Sequence, residues 1–131
     1  MNTEQASIED NLVEFVRLRD WVTFVEIANF LRTEGMETKG IHEITARENL
    51  IIWTGMSEQF SNLIMCLIRN QRIFPHPSDR WSYFLDGDYL DFPIAKRMAD
   101  YKKPHWIPIA FRTTPMQLPK QTKQKRVRAS F

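Results

Sequence analysis

The residues that could do chemistry are few and far apart. His42, His76 and His105 are isolated from one another, and the one cysteine, Cys66, lies between Met65 and Leu67 in an apolar stretch. No pair has the short ligand spacing of a zinc site, so no metal is expected. Cys66 reads as a core thiol of low reactivity, since an apolar surrounding disfavours the thiolate. Asp86, Asp88 and Asp91 resemble the start of a cation loop, but the twelfth position from Asp86 is Arg97, where a bidentate glutamate would be needed. Asp86-Gly87 reads instead as a tight hairpin turn, with glycine supplying the positive φ. Glycines at 35, 40, 55 and 87 never cluster into a phosphate-cradling loop. The sequence therefore points away from an enzyme and implies no cofactor.

Cations mixed with aromatics give a different signal. Lys96, Arg97, Lys102 and Lys103 run alongside Tyr101 and Trp106. Lysine and arginine meet phosphates, and an aromatic ring can stack on an unpaired base, so Tyr101 and Trp106 are candidate stacking residues. The plainer reading is that the two rings pin the segment to the core while the lysines stay in water. Trp21, Trp53, Trp81 and Trp106 are spread evenly and read as packing anchors; an exposed one would mark an interaction surface.

The net charge of +2 conceals an asymmetry. Residues 1–60 carry 5 basic and 11 acidic side chains, and residues 61–131 carry 13 basic and 5 acidic. The last 12 residues hold Lys120, Lys123, Lys125, Arg126 and Arg128 with no acid. A basic half of this kind suits an anionic partner, most commonly nucleic acid. The candidate contact set is Arg69, Arg72, Arg80, Lys96, Arg97, Lys102, Lys103 and the five tail cations.

With 131 residues, 43% of them apolar, the chain can build one hydrophobic core. A single cysteine excludes an intrachain disulfide. No apolar run approaches the roughly 20 residues of a membrane span, and the acidic start lacks a secretory pattern, so a soluble cytoplasmic protein is expected.

The elements that must position these groups follow from periodicity. Residues 1–6 read as frayed. Ser7 and Asp10 suggest a cap for a helix over about 8–19, with Ile8, Leu12, Phe15 and Val16 on one stripe. Trp21-Val22 reads as a short extended link. Thr23 and Glu26 form a capping box for a second helix that Gly35 ends. Residues 36–49 allow strand or short helix; a hairpin pairing 41–45 with 49–53 is preferred, because Leu50 to Trp53 is apolar and β-branched. Ser57 caps a third helix, in which Phe60, Leu63, Ile64, Leu67 and Ile68 give the full helical spacing. Residues 72–74 and 81–85 read as strands around the breaker Pro75-His76-Pro77-Ser78-Asp79. All seven prolines lie at or after position 75, so 93–114 reads as an extended strap, with 106–111 as an edge strand, and 115–131 as a disordered basic tail.

This order resembles a winged helix-turn-helix domain over residues 7–92, with Thr23 to Leu31 as the first helix of the pair, Ser57 to Asn70 as the second and Ile73 to Leu85 as the wing. The resemblance implies an α+β fold of three helices with one or two small antiparallel hairpins. It also implies a second helix that enters the DNA major groove. Two features depart from that pattern: about 20 residues separate Gly35 from Ser57, and Glu58 and Arg69 are the only charges between Ser57 and Asn70. A groove-reading helix needs cations and base-edge donors, so this one is expected to be buried. The function expected is a non-enzymatic protein that holds the phosphate backbone of nucleic acid through its basic half. The alternative is a protein-interaction module or homodimer.

Overall fold

The structure, a computed structural model, describes residues 3–116. Helix α1 spans Thr3–Arg19 and buries Leu12 and Val16. It begins before Ser7, so Ser7 lies inside the helix and residues 3–6 extend it, in place of the frayed start and cap that were expected. Helix α2 (Phe24–Thr33) opens with the full capping box: Thr23 Oγ1 accepts from the Glu26 N–H at 3.2 Å, and Glu26 Oε1 accepts from the Thr23 N–H at 3.4 Å. Gly35, at φ 91°, turns the chain out of it.

Strands β1 (Lys39–Arg47) and β2 (Leu50–Met56) form the antiparallel hairpin expected between the second and third helices, with Ile44 opposite Trp53 and Thr45 opposite Ile51. At the base of the hairpin a Cβ on Gly40 would lie 2.6 Å from the Met56 carbonyl oxygen, so the crossing requires glycine. Helix α3 (Glu58–Arg69) is capped by Ser57, whose hydroxyl accepts from the Phe60 N–H at 3.0 Å. It buries Phe60, Leu63, Ile64 and Leu67, while Cys66 is half-buried at its rim rather than in the core.

From here the chain departs from its sequence reading. Strand β3 (Phe74–Pro77) pairs antiparallel with β5 (Ile109–Arg112), far along the chain, and makes no hairpin with residues 81–85. Pro75 and Pro77 alternate, so both missing N–H groups fall on one edge and Phe74 and His76 bond β5 from the other. On its far side β5 exchanges two bonds with Val22, at 3.0 and 2.7 Å. Residues 80–86 are a fourth helix, α4 (Arg80–Asp86). Asp79 caps it, accepting from the Ser82 N–H at 2.9 Å, and Gly87 closes it at φ 102°, so Asp86-Gly87 is a helix end and not a hairpin turn. Among the described residues the fold is therefore α+β with four helices, not three. β4 (His105–Trp106) adds to β2 in parallel, giving a three-stranded sheet in the order β1-β2-β4 beside the two-stranded β3-β5 sheet.

The segment read as a strap supplies part of the core. Trp106, Ile109 and Phe111 are buried in the same cluster as Leu12, Phe24 and Trp53. Tyr83, the one inward residue of α4, packs at 5.1 Å from Trp53 and edge-on at 5.0 Å from Trp106. Its hydroxyl donates to the Ile109 carbonyl at 2.6 Å and accepts from the Phe24 N–H at 3.3 Å. Burial pushes this hydroxyl's pKa well up, so it stays a donor.

Asp20 and Trp21 are both left-handed, at φ 60° and 51°, so Trp21 is not extended as the link over Trp21-Val22 was expected to be. Non-glycine residues held there cost on the order of 1 kcal/mol each. The Arg112 guanidinium offsets that strain: it holds both Asp20 carboxylate oxygens at 2.8 and 2.9 Å and lies 4.4 Å over the Trp21 ring. That hydrogen bonding, ahead of other causes, keeps the Asp20 carboxyl below the usual range. A carboxyl with a lowered folded pKa stabilises above its unfolded pKa and loses that contribution as pH falls through the folded value.

Two outcomes follow. Tyr83→Phe leaves the Ile109 carbonyl and the Phe24 N–H without their partner and should cost about 1–3 kcal/mol in urea unfolding. In Asp20→Asn, melting temperature should fall less steeply on acidification below the carboxylate range than in the unaltered protein; equal slopes would refute the role given to Arg112.

Candidate nucleic-acid interface

The structure sorts the candidate cations into three groups. Arg72 is engaged: it bonds Asp10 of α1 at 3.0 Å and ties α3's end to the first helix. Arg69, Lys102 and Lys103 are exposed and lie outside the groove and the hollow that the others line. Arg80, Lys96 and Arg97 converge. They line a groove of about 530 Å³ between the start of α4 and the segment at 94–97, floored by Ile94, Ala95, Ile107 and Pro108. None of the three pairs with an acid among the described residues. Asp79 is the only acid lining the groove, and its carboxylate caps α4. The tail cations Lys120, Lys123, Lys125, Arg126 and Arg128 lie outside the described residues.

Backbone pairing brings the three together. The Ala95 N–H bonds the Trp106 carbonyl and the Trp106 N–H bonds the Pro93 carbonyl, both at 2.8 Å. Lys96 and Arg97 therefore leave the core beside β4 and meet Arg80, which the Asp79 cap has just placed. The loop that follows is tied down: Tyr101 Oη donates to the Arg97 carbonyl at 2.9 Å, and Asn49 Nδ2 donates to the Tyr101 carbonyl at 2.9 Å. Its acid, Asp100, pairs with Arg47 at 3.0 Å and so withdraws from the cations.

Ile94, Lys96 and Arg97 also wall a smaller hollow of about 260 Å³ with Tyr101 and His105. There Tyr101 stacks on His105 at 4.0 Å, and His105 Nδ1 lies 2.8 Å from the Lys103 carbonyl. Tyr101 thus lies beside Lys96 and Arg97, half-buried. Trp106 does not: it is 1% exposed and packed against Trp53 and Tyr83, so it cannot stack on a ligand. The exposed ring that lines the groove is Trp81, 63% exposed, with the Arg80 guanidinium over it at 5.7 Å. Reading 81–85 as a strand hid it; Asp79 and Gly87, an N-cap and a C-terminal glycine eight positions apart, were the signal for a short helix.

The remaining chemistry-bearing groups are occupied otherwise. His76 is buried, with Nε2 2.7 Å from the Thr114 carbonyl. Asp86 accepts from the Thr23 hydroxyl at 2.6 Å. Among the described residues no three His, Cys, Asp or Glu side chains gather to hold a metal, and no helix is long and apolar enough to cross a membrane. A larger cleft of about 610 Å³ between α2 and the hairpin has Arg32 and Lys39 balanced by Asp86 and Asp88, so it carries no field of one sign. Compared with protein-family models, with curated proteins and with solved structures, the chain matches none.

Site and core should separate on mutation. Trp81→Ala should change unfolding free energy by no more than about 0.5 kcal/mol, whereas Trp106→Ala should cost about 3–5 kcal/mol. A large loss for Trp81→Ala in chemical denaturation would place that ring in the core instead.

Proposed function

We propose that the protein is a non-enzymatic binder of nucleic acid that holds the phosphate backbone through the groove of Arg80, Lys96 and Arg97. The observation that carries this reading is the convergence of three exposed cations, none neutralised by a described carboxylate, on one concave surface with the exposed Trp81 ring at its border. Phosphates spaced along a strand suit such a row, and release of their counterions supplies the affinity. Arg69, Lys102, Lys103 and the tail cations add charge around it without forming the site. Arg72 drops out, because its charge is satisfied by Asp10.

In this reading the third helix reads no bases, since four of its apolar residues face the core. The winged-helix likeness then extends to α2 and α3 alone: the stretch assigned to the second strand of the wing is α4. Contact with phosphate passes to the start of α4 and to the segment after Pro93.

The test is the salt dependence of binding to a labelled oligonucleotide. The logarithm of the association constant should fall linearly with the logarithm of salt, at about 0.7–0.9 per phosphate engaged. Replacing Arg80, Lys96 and Arg97 together with alanine should flatten that slope by about 2–3, and Arg72→Ala should leave it unchanged. No binding at low salt, or a slope indifferent to the three cations, would overturn the proposal.

A further inference from the structure

The strand bound by the groove, on the reading just given, is further defined by the rings beside the cations. Trp81, Phe84 and Tyr89 form a ladder on the outside of α4 and the turn after it, with centroids 5.3 and 4.4 Å apart, each pair edge to face. The three are 63%, 40% and 51% exposed. The edge-to-face contact with Phe84 steadies the Trp81 indole without enclosing it. Tyr101, half-buried and stacked on His105, lies in the adjoining hollow on the far side of Lys96 and Arg97, so Trp81 is the ring that stands open beside the cations.

Duplex DNA or RNA presents phosphate, sugar and base edges, with base faces stacked inside. An indole face has nothing to meet there. Nor does α4 offer much of a reading surface for a duplex groove: beyond Arg80, whose guanidinium lies over the Trp81 ring, its large exposed side chains, Trp81, Phe84 and Leu85, carry no base-edge donor but one indole N–H. An unpaired strand offers both surfaces at once, phosphate to the cations and a base face to the indole. We infer that the groove takes single-stranded nucleic acid, with Trp81 as the stacking platform for an unpaired base and Arg80, Lys96 and Arg97 on the flanking phosphates.

The experiment compares an oligothymidylate, an oligouridylate and a duplex of equal length against the full chain by fluorescence anisotropy, with indole emission followed in parallel. Single strands should bind more tightly than the duplex and quench the indole; the difference between the two oligomers assigns the sugar. Trp81→Leu, which keeps apolar bulk without a π face, should weaken single-strand binding about 5- to 150-fold and leave duplex binding unchanged, and Trp81→Tyr should restore most of the loss. Equal binding of duplex and single strand, both dependent on the three cations, would overturn the inference while leaving backbone binding intact. Absence of binding to any probe would remove both. A Trp81→Leu variant that binds normally but changes a dimer into a monomer in light scattering would give the face to a second copy of the chain and overturn the inference.

Discussion

The arrangement depends on one buried hydroxyl. Tyr83 Oη joins three elements far apart in sequence: it belongs to α4, donates to β5 at Ile109 and accepts from the first residue of α2. α4 is two turns long and buries no other residue, so its own packing could not hold it. With Tyr83 clamped between Trp53 and Trp106, the helix is fixed in rotation, and Trp81 and Phe84 are turned outward. Position and exposure of the candidate site are thus consequences of a core contact.

A second constraint works further along the same edge of β5. The Val22 bridge and the Arg112–Asp20 pair lock the α1–α2 link onto that strand, while β3 closes its other side. The late strands are therefore enclosed by early elements. The same strand pairing that buries Trp106 brings residues 93–95 alongside it and leaves Lys96 and Arg97 at the surface. Core formation and charge convergence share these bonds.

Legibility in the sequence tracked the range of the determining interactions. α2, α3 and the intervening hairpin carry local signals, a capping box, a capping serine and a β-branched run beside a turn, and each forms where those signals place it. α4 was hidden because Trp81, Phe84 and Leu85 are apolar yet exposed, so its composition mimics a strand and its single buried residue gives no period. β3 was hidden because Pro75 and Pro77 read as breakers; only its partner, more than thirty residues away, makes alternate prolines compatible with pairing. For the site, the basic character of the second half was visible. Which cations meet was not, since Arg80 and Lys96 are joined only through the tertiary pairing at Trp106. The identity of the exposed tryptophan was equally a tertiary outcome: Trp81 stands between Arg80 and Ser82 and Trp106 between His105 and Ile107, and it is the fold that buries the second and leaves the first exposed.

The most direct test of the account maps the bound surface residue by residue. In amide chemical-shift perturbation with an oligothymidylate, signals from residues 79–82, 94–98 and 101 should move together, with α1 and the exposed side of α3 unchanged. Shifts centred on α3, or scattered over both charged halves, would contradict it.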